Sequence, residues 1–382
     1  MDNLVRILDS FHRGSTQKEH IKSLIRIIKE LVVPSYPSLE ARIENNRAVF
    51  SAGWKEIFSA LKDARIFAHF VPPEYGGMKA LEQDIYIMME LFGYGSPGLG
   101  VIFVSHGRAI DVIARGDEEQ KQRFLPRMAK GQLGAIAMTE EKAGSDASAI
   151  GLMARKDGEG FVLNGEKIFI SNSGLAQIYT ILARTREEKG PRSLSTLVVE
   201  DGSEGFIIQD LPQKEGLRVL PTGRLIFKET NVPASNLVGE EGKGLLLALD
   251  VIDRGRIHIA GICCGLSYRI FREIYRYAYR RRQFDHPLTS SQDVSFQVAD
   301  MYCQMNAARG LCFHALNQIG TPYYRLSSSQ AKLFATKAVM DVASRAQVLM
   351  GGRGYLRNSL ICLLYTSPSP RDLSTSRMPS SA

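Results

Sequence analysis

The chain has 382 residues, of which 44% are hydrophobic and 23% charged, an ordinary globular composition that excludes a disordered or fibrous protein. At about 150 residues per domain it holds two or three domains. Lysine and arginine number 48 against 40 aspartates and glutamates, a net charge of +8, so an anionic ligand, a nucleic acid or a membrane surface must be judged from where the charges fall.

The start of the chain carries Asp2, Asp9 and Glu19 without an apolar run, unlike a secretory signal or a transit peptide, and is read as cytoplasmic. Runs such as Gly244 to Leu249 soon meet Asp250 and Asp253, so nothing reaches the roughly 18 apolar residues of a membrane span. The five cysteines, two adjacent at Cys263 and Cys264, have neither disulfide nor zinc spacing, and the seven histidines form no HExxH pair. Reduced thiols and no metal are expected.

In chain order, Ile21, Leu24, Ile25, Ile28 and Leu31 form a helical stripe that Ile85, Met88, Met89 and Leu91 continue, predicting an N-terminal helical domain over 1–133. Gly93-Tyr-Gly-Ser-Pro-Gly98 matches GxGxxG, but it follows a helical pattern and contains a proline, whereas a dinucleotide fingerprint must follow a strand. From 134 to 238 the texture is that of a middle antiparallel β domain. Asn164-Gly165 between Phe161-Val-Leu163 and Ile168-Phe-Ile170 predicts a type I′ hairpin turn. Tyr179 to Leu182, Leu197 to Val199, Phe206 to Ile208 and Leu225 to Phe227 supply further strands.

After Pro233 the helical period returns, predicting helices from about Lys243 to Arg282, along the Val294, Val298, Met301, Met305, Ala308 and Cys312 stripe, and from Ser328 to Met350. Three such helices predict a C-terminal bundle over 239–361. Arg269, Arg272, Arg276 and Arg280 recur near helical spacing, followed by Arg281 and Arg282. They form either a solvated face or an anion site, and no nucleic-acid motif accompanies them. Gly351-Gly-Arg-Gly354 ends a helix, as a glycine cap does. Residues 362–382 are Ser/Pro/Arg-rich without apolar period. They resemble translated library adapter and are set aside as a non-native tail, a disordered tail being the alternative.

Six segments stand in a fixed order: Phe70-Val-Pro-Pro-Glu-Tyr-Gly-Gly77, Met138-Thr-Glu-Glu-Lys-Ala-Gly-Ser-Asp146, Asn164-Gly-Glu-Lys-Ile-Phe-Ile-Ser-Asn172, Val232-Pro233, Arg282-Gln-Phe284 with Pro287-Leu288 and Gln292, and Gly351-Gly-Arg-Gly-Tyr355. Together they resemble the acyl-CoA dehydrogenase family over about 65–361. The resemblance implies an α+β multidomain fold: an N-terminal helical domain, a middle β barrel and a C-terminal four-helix bundle, here incomplete. FAD would lie between β domain and bundle, and the chain would form a homo-oligomer, a dimer or the usual tetramer.

Carried over residue by residue, Met138, Thr139, Phe169 and Ser171 fall at flavin-contacting positions, with phenylalanine in place of the family's usual tryptophan and serine in place of its usual threonine. Arg281, Gln283 and Gln292 match positions that reach the FAD of a neighbouring subunit, where a guanidinium suits a pyrophosphate, and Gly351 and Gly352 match cofactor-binding positions. Ser145 matches a thioester-contacting position, and Asp253 and Arg256 match contacts to the adenosine portion of acyl-CoA. Asp285 replaces a glycine, which puts that turn in question.

The implied reaction removes an α proton from an acyl thioester, acyl-CoA or an acyl carrier protein thioester, and passes the β hydrogen to the flavin as hydride. The electrons then go to an electron-transfer flavoprotein. The α proton needs a carboxylate base. Most of the family place a glutamate downstream of the segment matching Gly351 to Tyr355, and Cys362 to Ala382 contains none. Some relatives place it where this chain has Gly255; Asp253 is no substitute, being turned about 200° around the helix. This polypeptide is therefore expected to lack its base. An oxidase or flavin monooxygenase of the same fold, or a non-catalytic binding subunit, are the alternatives.

Overall fold

The computed structural model describes residues 18–41 and 52–365, apart from 79, 189, 212–213 and 357–358. The chain's first residues and the tail beyond 365 lie outside the described residues. Helix α1 (Lys18–Ile27) turns Ile21, Leu24 and Ile27 inward, and one π-helical turn keeps Ile28 and Val32 buried before α2 (Val33–Ala41). Helices α3 (Ala52–Asp63), α4 (Glu82–Gly95), α5 (Pro97–Ile113) and α6 (Glu118–Ala129) follow. Ser96 caps α5 with Pro97 as its first residue, and Asp117 and Gln120 cap α6 reciprocally, each side chain accepting from the other's backbone N–H.

The middle domain is one eight-stranded sheet. Its strands are β1 (Gly134–Ala137), β2 (Met153–Asp157), β3 (Gly160–Ser171), β4 (Ile178–Arg184), β5 (Leu194–Glu200), β6 (Phe206–Asp210), β7 (Thr222–Pro233) and β8 (Leu237–Val238). They run in the order β6-β7-β3-β2-β4-β5-β8, with β1 parallel beside β4 and the other long ladders antiparallel.

The expected turn at Asn164-Gly165 is not one. β3 runs through it, and the ladder with β7 shifts register there as a bulge, Gly165 taking φ +137°. Asn164 spends its side chain across the ladder, donating to Glu229 Oε1 at 2.7 Å and accepting from the Glu229 N–H at 3.0 Å. That bracket holds the extended strand, so the pairing partner overrides the local turn preference. The hairpin that opens β3 instead turns at Asp157–Gly160, with Gly158 at φ +55°.

Helix α7 (Gly244–Arg280) is 37 residues long. A small hairpin of β9 (Arg282–Gln283) and β10 (His286–Pro287) leads to α8 (Gln292–Leu316), α9 (Tyr324–Met350) and the short α10 (Leu360–Tyr365). Ile361 and Leu364 of α10 are buried, so regular structure continues past Ile361. One face of α7 packs against α4 and α5, another against α8 and α9, and a single apolar core runs through all three parts.

The crossing of α4 and α7 depends on glycine. A Cβ on Gly265 would fall 1.9 Å from the Glu90 carbonyl oxygen, and one on Gly93 would fall 2.1 Å from that of Ile262. The first glycine of the GxGxxG match thus serves helix packing rather than phosphate. Gly265→Ala is expected to push the helices apart and cost about 3 kcal/mol, read as a lowered thermal midpoint; an unchanged midpoint would refute the close-packing account.

Candidate functional site

Strand β1 ends at Ala137, and the next residues, Met138 and Thr139, lie half-buried along β3. The Thr139 carbonyl accepts from the Ile168 N–H at 2.9 Å. A second register shift between Lys167 and Ile170 places Phe169 at φ +60°, leaving its ring 45% exposed. A bulky residue held left-handed is strained, and such strain collects at functional sites. Ser171 ends β3, half-buried and opposite Thr222. Buried Asn172 fixes that end by donating to the carbonyls of Ile102 and Gly134, each at 2.9 Å. This stretch therefore gathers an exposed aromatic and two half-buried hydroxyl residues on neighbouring backbone, residue types that suit a surface for a flavin ring, which needs a wall and hydrogen-bond donors.

Behind this surface lies a charge pair. Lys167 is fully buried and donates to the Met138 carbonyl at 3.0 Å and to Glu140 Oε1 at 2.7 Å. Burial pulls its ammonium down to about 8 against the opposing pull of Glu140. Glu140 also accepts from the N–H groups of Gly151 and Leu152, at 2.7 and 3.0 Å. Sequence reading missed this lysine, yet it shares strand parity with buried Leu163, a signal that it points inward. Ser145 sits exposed two residues past the Glu140–Ala143 bridge.

On α7, Asp253 pairs with Arg256 and with Arg325 of α9, the latter at 3.4 Å, and Arg256 also donates to Ser329 at 3.1 Å. Burial raises the Asp253 carboxyl, partly offset by Arg256 and Arg325. Asp253 faces a cavity of about 280 Å³ whose lining includes Glu82, Arg254, Pro322, Tyr324 and Arg325. Arg256 is not in that lining. Arg254 and Arg325, which sequence reading missed, supply the cations at its wall.

Gly255 points elsewhere. A Cβ there would lie 3.4 Å from Cδ of buried Arg108. The Arg108 guanidinium donates to the Val251 carbonyl at 2.9 Å, meets His258 Nδ1 at 3.1 Å and pairs with Asp111 at 3.0 Å. His258 in turn contacts Glu82 at 3.1 Å. Burial would raise Glu82, but the His258 bond and the charges of Arg108 and Arg254 prevail and hold it at about 2.

Arg281 lines a second cavity, of about 460 Å³, with Arg276, Arg280 and Arg353, beside Met350 and Ile361. Gly351 caps α9 at φ +56°, as the glycine run predicts, and Gly352 is exposed next to it. The structure thus brings Arg281 to the Gly351–Gly352 turn. Gln283 and Gln292 are exposed nearby in sequence but do not line that cavity. The questioned turn is resolved: Phe284 and Asp285 take φ +49° and +65°, and aspartate tolerates that region well. Among the described residues no cluster of histidine, cysteine or carboxylates could hold a metal, and all five cysteines are free.

Three family models match in succession: the N-terminal domain of acyl-CoA dehydrogenase over residues 16–132, the middle domain over 135–230 and the C-terminal domain over 242–367. The chain belongs to the acyl-CoA dehydrogenase family. Its members are FAD flavoproteins. A short-chain-specific acyl-CoA dehydrogenase of Clostridium acetobutylicum is 37% identical over 75% of this chain and 76% of its own length. The structure of butyryl-CoA dehydrogenase from Megasphaera elsdenii superposes with TM-score 0.85 at 29% identity, covering 95% of this chain and 93% of that one. A chain from a study of the electron transferring flavoprotein of Acidaminococcus fermentans superposes at 0.86 and 28% identity, over 95% and 93%. The family and the three-part fold expected from the sequence are both borne out.

Proposed function

We propose that this member of the family binds FAD at Met138, Thr139, Phe169 and Ser171 and dehydrogenates an acyl-CoA between its α and β carbons. The observation that carries the reading is the Thr139–Ile168 backbone bond, which brings Thr139 beside the end of β3 that carries the strained, exposed Phe169 and Ser171. FAD, when bound, supplies the hydride acceptor. The chain's own part is to orient that group and to hold the thioester's carrier. The cavity between α7 and α9, where Arg254 and Arg325 stand beside Glu82, Asp250 and Asp253, offers polar groups for the adenosine end of the carrier, with Ser145 at the thioester end. This favours CoA over a carrier protein. The proton acceptor does not come from α7, because position 255 has no side chain and faces Arg108.

In a homo-oligomer, dimer or tetramer, the Arg281 cavity with Gly351 and Gly352 would hold the diphosphate of a neighbour's FAD, with Gln283 and Gln292 beside it. Exposed Tyr275, Tyr279, Phe296 and Tyr302 on α7 and α8 supply the apolar area such a contact needs. The electron acceptor is an electron-transfer flavoprotein, the kind of protein named in the Acidaminococcus study. The units are 1–133, 134–238 and a bundle from 239 that runs past Ile361 through α10. A cytoplasmic site is supported by the thiols of Cys264 and Cys312, 4.0 Å apart and unbonded.

Turnover of an acyl-CoA panel with an artificial electron acceptor, alongside oxygen consumption, tests the reaction; rapid oxygen use would make it an oxidase. Arg325→Ala is expected to raise KM for acyl-CoA about tenfold, the loss of one charge-assisted contact worth about 1.4 kcal/mol. It should leave KM for the matching acyl-pantetheine unchanged. Equal effects on both would remove the nucleotide from this cavity.

A further inference from the structure

We propose that Lys167 and Glu140 are positioning residues for the flavin, a paired charge that sets the distance between the Met138–Thr139 segment and the Phe169–Ser171 end of β3. The inference rests on the reading of those four residues as the flavin surface. The Thr139 carbonyl is tied to β3 by a main-chain bond from the Ile168 N–H. The remaining restraint comes from the lysine: one ammonium, with no exposed surface, holds the Met138 carbonyl at 3.0 Å and the Glu140 carboxylate at 2.7 Å. Glu140 then reaches the residues just before β2 through the Gly151 and Leu152 N–H groups. Three segments of the sheet thus converge on one ion pair lying directly behind the surface that carries the two hydroxyls.

Stability alone does not explain this arrangement. A buried ion pair gains little over apolar residues of the same volume, and burial works against the Lys167 charge strongly enough to lower its ammonium to about 8. What the pair adds is geometry. A methionine would fill the same volume, but it would release the Met138 carbonyl, and with it the register of Thr139 relative to Ser171. Hydrogen bonds to a cofactor ring depend on placement to within about 0.5 Å, set by supporting contacts of this type. The fold itself should survive the change, because Glu140 keeps two backbone donors and is not sealed from water, its side chain being 12% exposed.

The test uses the full chain, stripped of flavin and titrated with FAD, reading the quench of flavin fluorescence and the fine structure of the bound flavin's absorption band. Lys167→Met is expected to keep the circular dichroism spectrum of the parent while raising the FAD Kd about tenfold, the scale on which supporting contacts act, and blurring the band. Lys167→Arg, which keeps charge and donors, should recover Kd to within about threefold. Arg309→Met, which breaks a buried pair between α4 and α8, should leave Kd unchanged. If Lys167→Met does not fold, Glu140→Gln is titrated in its place with the same expectation. A folded Lys167→Met or Glu140→Gln chain with parental Kd and band shape overturns the proposal. A parent chain that takes up no FAD overturns the flavin reading itself, and the two failures are distinguishable because only the second affects the parent.

Discussion

Between pH 6.5 and 4 the protein is expected to lose stability steeply, and His106→Gln is expected to remove much of that loss. His106 is fully buried among the rings of Phe67, Phe70 and Phe103, and its Nδ1 accepts from the Gly134 N–H at 3.2 Å. Burial lowers its titration from 6.5 to about 3. His69 is lowered to about 4, first by burial and then by the charge of His20. Below 6.5 the unfolded chain binds protons on both imidazoles that the folded chain refuses, so stability falls as pH drops. At about 1.4 kcal/mol per unit, His106 alone accounts for roughly 5 kcal/mol by pH 3.

Glu40 opposes this. Burial raises it to about 7 against the Arg218 N–H and the nearby Lys214, so it binds a proton in the folded chain first and adds stability as pH falls from 7 to 4.5. Buried His258 is lowered in the same direction, so three imidazoles act against one carboxyl and stability falls with pH down to 4.5. Below that Glu40 is protonated in both states and the loss steepens. Glu82, held at about 2, adds its own share from 4.5 downward. His106→Gln keeps an acceptor for Gly134 and cannot titrate. Thermal midpoints measured from pH 7 to 4 should fall less steeply in the variant than in the parent; parallel curves would show that His106 is not the group responsible.

The three-part order and the long helices were legible because α7, α8 and α9 keep one apolar period over 25 or more residues, and period survives any choice of partner. Asn164-Gly165 was misread because turn preference is a property of two residues, whereas β3 is held across the bulge by Glu229, 65 residues away. Orientation was the other gap. Helical spacing put Arg269 in line with Arg276 and Arg280, yet Arg269 is 2% exposed while Arg280 is exposed. Which part of a helical stripe is covered depends on what packs there, and the spacing says nothing of α4. For the proposed flavin surface, motif order singled out Thr139, Phe169 and Ser171. Arg254 and Arg325 were invisible because the cavity they share joins α7 to α9, and only the folded bundle brings those helices together.

The buried arginines give the basic excess its structural meaning, and they carry the second large prediction. Arg269 donates to the carbonyls of Tyr94 and Gly95 at the end of α4, at 3.1 and 2.6 Å, while its guanidinium lies 4.7 Å from the Tyr36 ring centroid. Arg108 ties α5 to α7. Arg309 reaches from α8 to Glu90 of α4 in a bidentate pair at 2.8 and 2.9 Å, and Tyr86 also donates to Glu90 at 2.9 Å. All three dock the N-terminal helices onto the bundle, so much of the positive charge is spent inside the fold rather than on a polyanion. Arg309→Leu strands a buried carboxylate that the Tyr86 hydroxyl still reaches and is expected to cost about 3–5 kcal/mol. Replacing both partners, Glu90→Leu with Arg309→Leu, removes the stranded charge and should recover most of that loss, to within about 1–2 kcal/mol of the parent. Calorimetric unfolding of the parent, the single and the double variant separates the two cases. A double variant no more stable than the single would mean that Glu90 is solvated in the single variant, and that the pair docks the domains through its packing rather than its charge.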